Sequence, residues 1–263
     1  MKISLITVTY NSGRTLSATL SSVLSQTYSD IEYIVVDGLS GDDTVSIIEE
    51  YGHLFKGKLR FLSESDKGIY DAMNKGIRMA TGDIIGILNS DDLLMDDDVL
   101  KDIASEFDDQ TDAIYGNLYF VKQSDVNHVV RVWKGSPYKS FTTGWHPAHP
   151  TFYVRREVYE NYGTFDTSFN VSADFELMLR LIEKYHIRTK YLDRYMVKMR
   201  VGGESTGSIK NIIKGNINIM KAFKKNGISV SVFYPVIRLC PKVVSLIKHK
   251  LSLVMLARPS GKH

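Results

Sequence analysis

The chain has 263 residues, of which 43% are hydrophobic and 24% charged, a composition typical of globular proteins that are long enough to form a large core. Its one cysteine, Cys240, excludes an internal disulfide and fits a reducing compartment. The sequence contains no run of about 18 apolar residues, so no transmembrane helix is predicted. The segment after Met1 runs directly into a strand pattern and lacks the shape of a signal peptide, so we expect a cytoplasmic protein.

The net charge of +3 is distributed unevenly along the chain. The last acidic residue is Glu204, and residues 207–263 carry 11 Lys or Arg and no acidic residue. The rest of the chain has 22 basic and 30 acidic residues, which gives it a charge of −8. An acidic body followed by a basic segment indicates that this segment contacts something anionic, either phospholipid or nucleic acid.

The first 115 residues alternate between strand-like and helix-like patterns. Apolar runs predict the strands, and apolar residues at helical spacing predict the helices between them. This alternation predicts a mostly parallel sheet that is covered by helices and connected by right-handed crossovers. The predicted strands are 3–8, 34–36, 59–62 and 84–88, and the predicted helices lie near 16–24, 45–48 and 69–80.

The second half of the chain has a less regular pattern. Short strands with polar turns are predicted for residues 113–133. Residues 137–150 contain three of the six prolines, which favours an irregular loop over a site. A helix is predicted for 175–182, and another for 206–225, followed by a break at Gly227.

Two adjacent carboxylates, Asp91 and Asp92, follow the buried-strand pattern that ends at Leu88. Ligands in open α/β sheets bind just beyond the carboxyl ends of the strands. Acids at this point can accept hydrogen bonds from sugar hydroxyls, or they can hold a hard divalent cation through oxygen. The alternative is a solvated loop, residues 91–98, that caps the next helix. The pair alone does not separate these interpretations.

A third carboxylate, Asp37, ends the second strand pattern and so repeats the placement of the acid pair. It can accept a hydrogen bond from a base or a ribose, although residues 40–43 can also simply cap the next helix. The first strand ends in Thr9-Tyr10-Asn11, with one nearby glycine, and lacks the glycine-rich turn of a nicotinamide-binding site. The sequence has no Walker lysine motif either.

The chain contains four polar segments in a characteristic order: Thr9-Tyr10-Asn11, Val36 to Thr44, Asp66 to Gly76 and Asn89-Ser90-Asp91-Asp92. Together they resemble the family 2 glycosyltransferases, which are inverting enzymes of the GT-A fold. The resemblance covers roughly residues 1–205, and it implies an α/β fold with a Rossmann-like, mostly parallel central sheet flanked by helices. The implied organisation is a nucleotide-sugar-binding half, 1–115, an acceptor and catalytic half, 116–206, and a C-terminal basic helical tail, 207–263.

The resemblance also implies a donor site that holds a nucleotide-sugar and a divalent cation, Mn or Mg. Asp91 would contact the ribose or the sugar, and Asp92 would ligate the metal. This chain reads Ser-Asp-Asp where many relatives show Asp-x-Asp, which leaves the role of the first acid open. The residues implied to bind substrate are Thr9, Tyr10, Asn11, Asp37, Asp66, Lys67, Asp91 and His149.

An inverting enzyme also needs a base that takes the proton of the acceptor. The resemblance assigns this role to Asp174, which follows Ala173 where the family usually has Glu. The alternative is a simple helix N-cap. Glu176 points elsewhere on the same helix. His149 matches a family histidine near the sugars better than His146 does, although loop backbone can also satisfy a histidine here. No histidine pair has structural-zinc spacing.

The combined interpretation is a metal-dependent inverting glycosyltransferase that moves a hexose from a nucleotide-sugar. The expected donor is a UDP-sugar. The acceptor would be a saccharide or a lipid-diphosphate-linked saccharide of bacterial surface-polysaccharide assembly, of O-antigen or capsule type. The amphipathic tail, which Pro241 interrupts, would lie on the inner face of the cell membrane, or it packs on the body instead. Sparse aromatic residues argue against nucleic acid as its partner. The rival interpretations are a non-catalytic nucleotide-sugar-binding scaffold and a sugar nucleotidyltransferase.

Overall fold

The computed structural model of the protein describes residues 1–202 and 209–237. Strands form where the apolar runs occur, and the first two are buried along their whole length because helices cover both faces of the sheet. The strands are β1 (Ile3–Thr9), β2 (Ile31–Asp37), β3 (Leu59–Ser63), β4 (Ile84–Ile87), β5 (Leu93–Leu94), β6 (Ala113–Val121), β7 (Val129–Trp133), β8 (Tyr153–Arg155) and β9 (Thr189–Arg200). The helices are α1 (Leu16–Leu24), α2 (Thr44–Leu54), α3 (Ile69–Met79), α4 (Val99–Glu106), α5 (Arg156–Tyr162), α6 (Ala173–Leu179), α7 (Ile209–Lys225) and α8 (Tyr234–Ile237).

The nine strands form one sheet in the order β3-β2-β1-β4-β8-β6-β9-β5, with β7 paired to β6. Strands β3, β2, β1 and β4 run parallel, and so do β6 and β9. Antiparallel pairs occur where β8 lies between β4 and β6, and at the strands β5 and β7. Most paired residues belong to parallel ladders, so the predicted α/β fold with a mostly parallel central sheet is confirmed.

Each face of the sheet has its own apolar cluster, because successive residues of a strand point to opposite faces. In β1, Ile6 packs in the cluster that includes α3 and α6. Leu5 packs in the cluster that includes α1 and α4. With both faces covered, polar side chains collect at the edge where the parallel strands end, and the candidate site lies there.

The first part of the predicted tail packs on the body. Helix α7 matches the predicted helix that ends near Lys225, and its buried residues Ile219 and Phe223 join the cluster of α6. Asn218 Nδ2 donates to the carbonyl of Val171 at 2.8 Å. Among the described residues, no helix is long and apolar enough to cross a membrane. The predicted interruption at Pro241 and the rest of the tail lie outside the described residues.

Candidate active site

The loops that follow β1, β2 and β4 meet at the carboxyl edge of the sheet. Thr9 is paired with Asp37, and the Gly38 N–H donates to the Thr9 carbonyl at 2.9 Å. The hydroxyls of Ser12 and Ser90 are 2.9 Å apart, which joins the loop after β1 to the loop that carries the acid pair. Three of the four segments identified from the sequence are therefore neighbours in space.

Asp37 is fully buried, and its carboxylate is already occupied by hydrogen bonds within the protein. Its Oδ1 accepts from the Ser40 hydroxyl at 2.5 Å. Its Oδ2 accepts from the Ser40 N–H at 3.0 Å and from the Ser63 hydroxyl at 2.6 Å. In this arrangement Asp37 fixes the loop after β2 to β3, and its predicted contact with a base or ribose stays a prediction.

Tyr10, Gly38 and Asp66 lie next to one another beside this loop. The Tyr10 side chain is 65% exposed, so its ring is available for stacking. A Cβ atom on Gly38 would lie 2.6 Å from Asp66 Oδ2 and 3.4 Å from the Tyr10 ring, so a larger residue here would force the Asp66 carboxylate to shift. An exposed aromatic ring beside a carboxylate oxygen suits a planar ligand that carries N–H donors.

Asn11 and Thr9 differ in their contacts. Asn11 adopts a positive φ of 49°, and its Oδ1 accepts from the Gly41 N–H at 2.9 Å, so it ties two loops together. The Thr9 hydroxyl is buried and lacks a partner among the described residues. A buried hydroxyl without a partner is costly unless a ligand or water completes it, which fits the predicted role of Thr9 in binding.

Asp66 and Lys67 lie in the turn that leads into α3. Asp66 Oδ1 accepts from the Gly68 N–H at 2.8 Å, and the Lys67 N–H donates to Asp71 Oδ2 at 3.0 Å. These bonds hold the turn, while the second carboxylate oxygen, Asp66 Oδ2, lies beside Gly38. The Lys67 side chain is exposed.

The two members of the acid pair differ in burial. Asp92 is 1% exposed, and its oxygens accept from the Arg200 N–H at 3.2 Å and from Asn89 Nδ2 at 3.1 Å. Burial, reinforced by the neighbouring Asp91 carboxylate, raises the pKa of Asp92 well above its ordinary value. Burial also raises the pKa of Asp91, which is partly exposed, while the Arg200 guanidinium acts in the opposite direction. A cation at this point would relieve the cost of holding two carboxylates together.

Arg200 is the cation that the structure places beside the acid pair. It is 8% exposed, and its Nη1 donates to the Asp91 carbonyl at 2.5 Å. Its Nε lacks a partner among the described residues, as does the Asn89 Oδ1 acceptor. Arg200 is not among the site residues that the sequence indicated. It ends β9 as Asp37 ends β2, but no strand was predicted there, so no local signal for it was present in the sequence.

Asp174 lies at the start of α6 and faces side chains from two other segments. The Tyr70 hydroxyl on α3 donates to Asp174 Oδ1 at 3.3 Å. The turn that contains His149 packs against α6, and burial lowers the pKa of His149 more than the Asp174 charge raises it. The structure thus places His149 on a segment packed against the helix of Asp174, and it adds Tyr70, which sequence reasoning did not assign.

Glu176 has a different environment from Asp174. It is 1% exposed and pairs with Arg180 Nε at 3.0 Å and with Asn226 Nδ2 at 3.1 Å. Arg180 in turn donates to the carbonyls of residues 162–164 at the end of α5. Glu176 therefore holds helices together, and its carboxylate is not available to a substrate. His146 is likewise engaged, with its Nδ1 2.9 Å from the Pro147 carbonyl.

The carboxylates available as metal ligands fit a divalent cation that is held mainly by a substrate. Within residues 1–202 and 209–237, no three His, Cys, Asp or Glu side chains converge into a metal-binding cage. The acid pair instead offers one partly exposed carboxylate backed by a second. Mg is commonly bound in this way, through one or two carboxylates together with phosphate oxygens. The residues present are therefore compatible with the implied metal.

Several known proteins are similar to this chain. The PGL/p-HBAD biosynthesis glycosyltransferase of Mycobacterium bovis is 26% identical over 245 residues, which are 92% of each chain. An uncharacterized glycosyltransferase of Mycobacterium tuberculosis is 31% identical over 184 residues, or 68% of each chain. These proteins support the assignment of this chain as a glycosyltransferase.

Two solved structures share the fold. The crystal structure of S. aureus TarS 1-349 in complex with UDP-GlcNAc aligns with a TM-score of 0.63 at 20% identity, over 86% of this chain and 73% of that one. The mannosyltransferase PcManGT from Pyrobaculum calidifontis, in complex with GDP-Man and Mn2+, aligns with a TM-score of 0.65 at 20% identity, over 98% and 76%. The family model for glycosyl transferase family 2 matches residues 4–171. This chain belongs to glycosyl transferase family 2.

Proposed function

We propose that this protein is a metal-dependent, inverting glycosyltransferase that transfers a hexose from a UDP-sugar. The observation that carries the proposal is that the site contains two separate acidic groups, a pair of carboxylates and one further carboxylate. The acid pair follows β4, and Asp174 lies on α6 with the hydroxyl of Tyr70 directed at it. The turn that contains His149 packs against both β4 and α6, so it connects the two groups.

The donor is proposed to lie along the carboxyl edge of the sheet. The uracil would stack on the exposed Tyr10 ring, with its N–H directed at Asp66 beside Gly38. The Thr9 hydroxyl and Asn89 Oδ1 lack partners among the described residues and are the groups available to the ribose and phosphates. TarS, which shares this fold, is known in complex with UDP-GlcNAc. The choice of UDP over GDP rests on that neighbour and on the resemblance.

The cation is proposed to lie at the acid pair, with Asp91 as the ligand that reaches it. The resemblance gave this role to Asp92 and gave Asp91 a sugar contact. Burial supports the reverse division, because Asp92 is 1% exposed and both of its oxygens already accept hydrogen bonds. Asp92 would then hold the loop that carries Asp91, through the hydrogen bonds it accepts from the Arg200 N–H and from Asn89. When bound, such a cation neutralises the charge that develops on the diphosphate leaving group.

In the proposed reaction Asp174 accepts the proton of the acceptor hydroxyl. The hydroxyl oxygen attacks the anomeric carbon from the face opposite the diphosphate, and the bond from that carbon to the phosphate oxygen breaks. The nucleoside diphosphate leaves with the electron pair, so the configuration at the anomeric carbon inverts. A positioned base of this kind contributes roughly 10²–10⁴-fold to the rate.

The acceptor is proposed to be a saccharide or lipid-linked saccharide for surface-polysaccharide assembly, reached at the inner face of the cell membrane. A groove of about 660 Å³ beside α7 supports this, because it is apolar and carries Lys221 and Lys224. Ile217, which also lines it, is 52% exposed. Since the chain has no acidic residue after Glu204, the groove is complementary to an anionic phospholipid surface.

Vesicle sedimentation tests the membrane proposal. We expect binding to vesicles that contain phosphatidylglycerol and not to phosphatidylcholine alone. The double variant Lys221→Glu, Lys224→Glu should bind at least about tenfold more weakly, since each lysine near an anionic surface is worth about 1 kcal/mol. Lys56→Glu, an exposed charge reversal in the turn between α2 and β3, is the matched control. Equal binding by all three proteins would contradict the proposal.

Nucleotide release from a panel of UDP-sugars and GDP-mannose tests the reaction itself, with Mn, with Mg and with chelator, and with membrane lipid extract as acceptor. We expect metal-dependent release of UDP. Asp174→Asn should lower kcat by roughly 10²–10⁴-fold with donor binding unchanged. Asp91→Asn should lose more of the metal dependence than Asp92→Asn. Donor binding without release from any donor would instead favour a non-catalytic scaffold.

A further inference from the structure

Tyr70 is the one described side chain whose hydroxyl meets the Asp174 carboxylate. It belongs to the first turn of α3, and its Oη is 3.3 Å from Asp174 Oδ1. The phenol therefore lies at the start of α6, with its hydroxyl directed at a carboxylate acceptor.

The ring of Tyr70 is held in place by its neighbours. It stacks on Phe165, with ring centroids 5.6 Å apart and planes inclined by 26°. Phe165 is fixed through its backbone, because its N–H donates to Asn74 Oδ1 at 2.9 Å and its carbonyl accepts from Asn74 Nδ2 at 2.8 Å. The His149 ring meets the same phenylalanine edge to face at 5.6 Å. Three residues, Phe165, Asn74 and His149, thus hold the ring and with it the direction of the hydroxyl.

The hydroxyl of Tyr70 is a permanent donor under ordinary conditions. Burial raises the pKa of Tyr70 above its ordinary value, and the Asp174 charge raises it further. The phenol consequently stays protonated and can donate its hydrogen to the carboxylate.

We propose that Tyr70 is a positioning residue for the base, which holds one oxygen of Asp174 so that the other faces the acceptor hydroxyl. This inference rests on the proposed function, in which Asp174 is the base. It assigns a task to a residue of the Asp66–Gly76 segment that the donor site does not use. Ser172, which precedes α6 and adopts a positive φ of 68°, sets the direction in which the helix starts.

The surroundings of Asp174 define what removal of the hydroxyl changes. The titratable groups that face this carboxylate are Tyr70 from α3 and His149 from the turn before β8. From α7, Gly215 lies beside Ser172, and Asn218 donates to the Val171 carbonyl just before α6 begins. Loss of the Tyr70 hydroxyl therefore removes a hydrogen bond that fixes the direction of the carboxylate.

Tyr70→Phe tests the inference, because it keeps the ring on Phe165 and removes only the hydroxyl. Nucleotide release would be measured with the best donor of the panel, in Mn. We expect kcat to fall about tenfold while the donor KM stays within about twofold, because the ring still packs on Phe165 and only the hydrogen bond to the base is lost. The matched control is Tyr153→Phe, a buried tyrosine whose hydroxyl lacks a partner among the described residues.

The outcomes separate this inference from the proposed function. If Asp174→Asn is inactive and Tyr70→Phe matches the wild type in kcat, the role of Tyr70 is refuted and the base remains. If Tyr70→Phe raises the donor KM as strongly as it lowers kcat, or if Tyr153→Phe lowers kcat to the same extent, the effect is structural and the inference also fails. If Asp174→Asn stays active, or the wild type releases no nucleotide, both proposals fall.

Discussion

Glu32 provides a sharp test of how the sheet is stabilised at the end opposite the site. Its carboxylate on β2 is 5% exposed, and it joins the start of β1 to the turn before β4. Replacement by Gln removes the charge and keeps the shape. The donors to Oε1 are Ser4 Oγ at 2.5 Å, Thr81 N at 2.5 Å, Thr81 Oγ1 at 3.0 Å and Gly82 N at 3.1 Å, and Oε2 is 3.4 Å from both Lys2 and Arg60.

The magnitude follows from the pKa of this carboxyl. Burial alone would raise the pKa of Glu32, but the hydrogen bonds from Ser4 and Thr81 and the charge of Lys2 outweigh it and lower the pKa from 4.5 to about 2. A difference of that size between the folded and unfolded chain corresponds to about 3 kcal/mol. Lys2 and Arg60 are partly exposed, so solvent screening reduces the expected effect to about 2 kcal/mol.

The sign of the pH dependence is fixed by the direction of the shift. A carboxyl with a depressed folded pKa stabilises the fold fully above its unfolded pKa of about 4.5 and loses that stabilisation as the pH falls towards about 2. Urea unfolding of the wild type and Glu32→Gln should therefore differ by about 2 kcal/mol at pH 7, and by progressively less below pH 4.5. Glu50→Gln, on the exposed face of α2, is the matched control. A gap between wild type and Glu32→Gln that is the same at pH 7 and pH 3.5 would refute the reasoning.

Two further substitutions probe packing near the site. Gly86→Ala would place a Cβ 2.2 Å from the Tyr153 ring, so we expect a loss of about 1–3 kcal/mol in the free energy of unfolding by urea, whereas no loss would mean that the ring can move aside. Glu176→Gln would leave Arg180 without its buried anion. We expect thermal unfolding to show that the free energy of unfolding falls by about 3 kcal/mol. A decrease below about 1 kcal/mol would mean that the carbonyls of residues 162–164 satisfy the Arg180 cation alone.

The parallel half of the fold could be predicted from the sequence because three of its four strands, β1, β2 and β4, are short and fully buried. Runs such as 3–8 and 84–88 are apolar without alternation, which is the pattern of a sheet covered on both faces. The antiparallel insertion of β8 between β4 and β6 could not be predicted in the same way. It depends on pairing between Ile85 and Val154, which are far apart in the chain and carry no local pattern of their own.

The site could be located from the sequence but not resolved into roles. Strand ends and ordered segments identified Asp37 and the acid pair, because position relative to a strand can be read locally. Burial cannot be read in this way. The Asp37 carboxylate accepts hydrogen bonds from Ser40 and Ser63, and Asp92 is buried while Asp91 is partly exposed. Both features depend on contacts between segments that are distant in sequence. Tyr70 was missed for the same reason, since its partner is 104 positions away.

Arg200 at the end of β9 and the helix α7 each support one half of the site. Arg200 is bonded to the acid pair, and α7 packs on the helix that carries Asp174. The two halves of the site therefore depend on elements from the later part of the chain. Over evolution, insertions should be tolerated in the exposed turn 122–128 between β6 and β7 and selected against within β9 and α7.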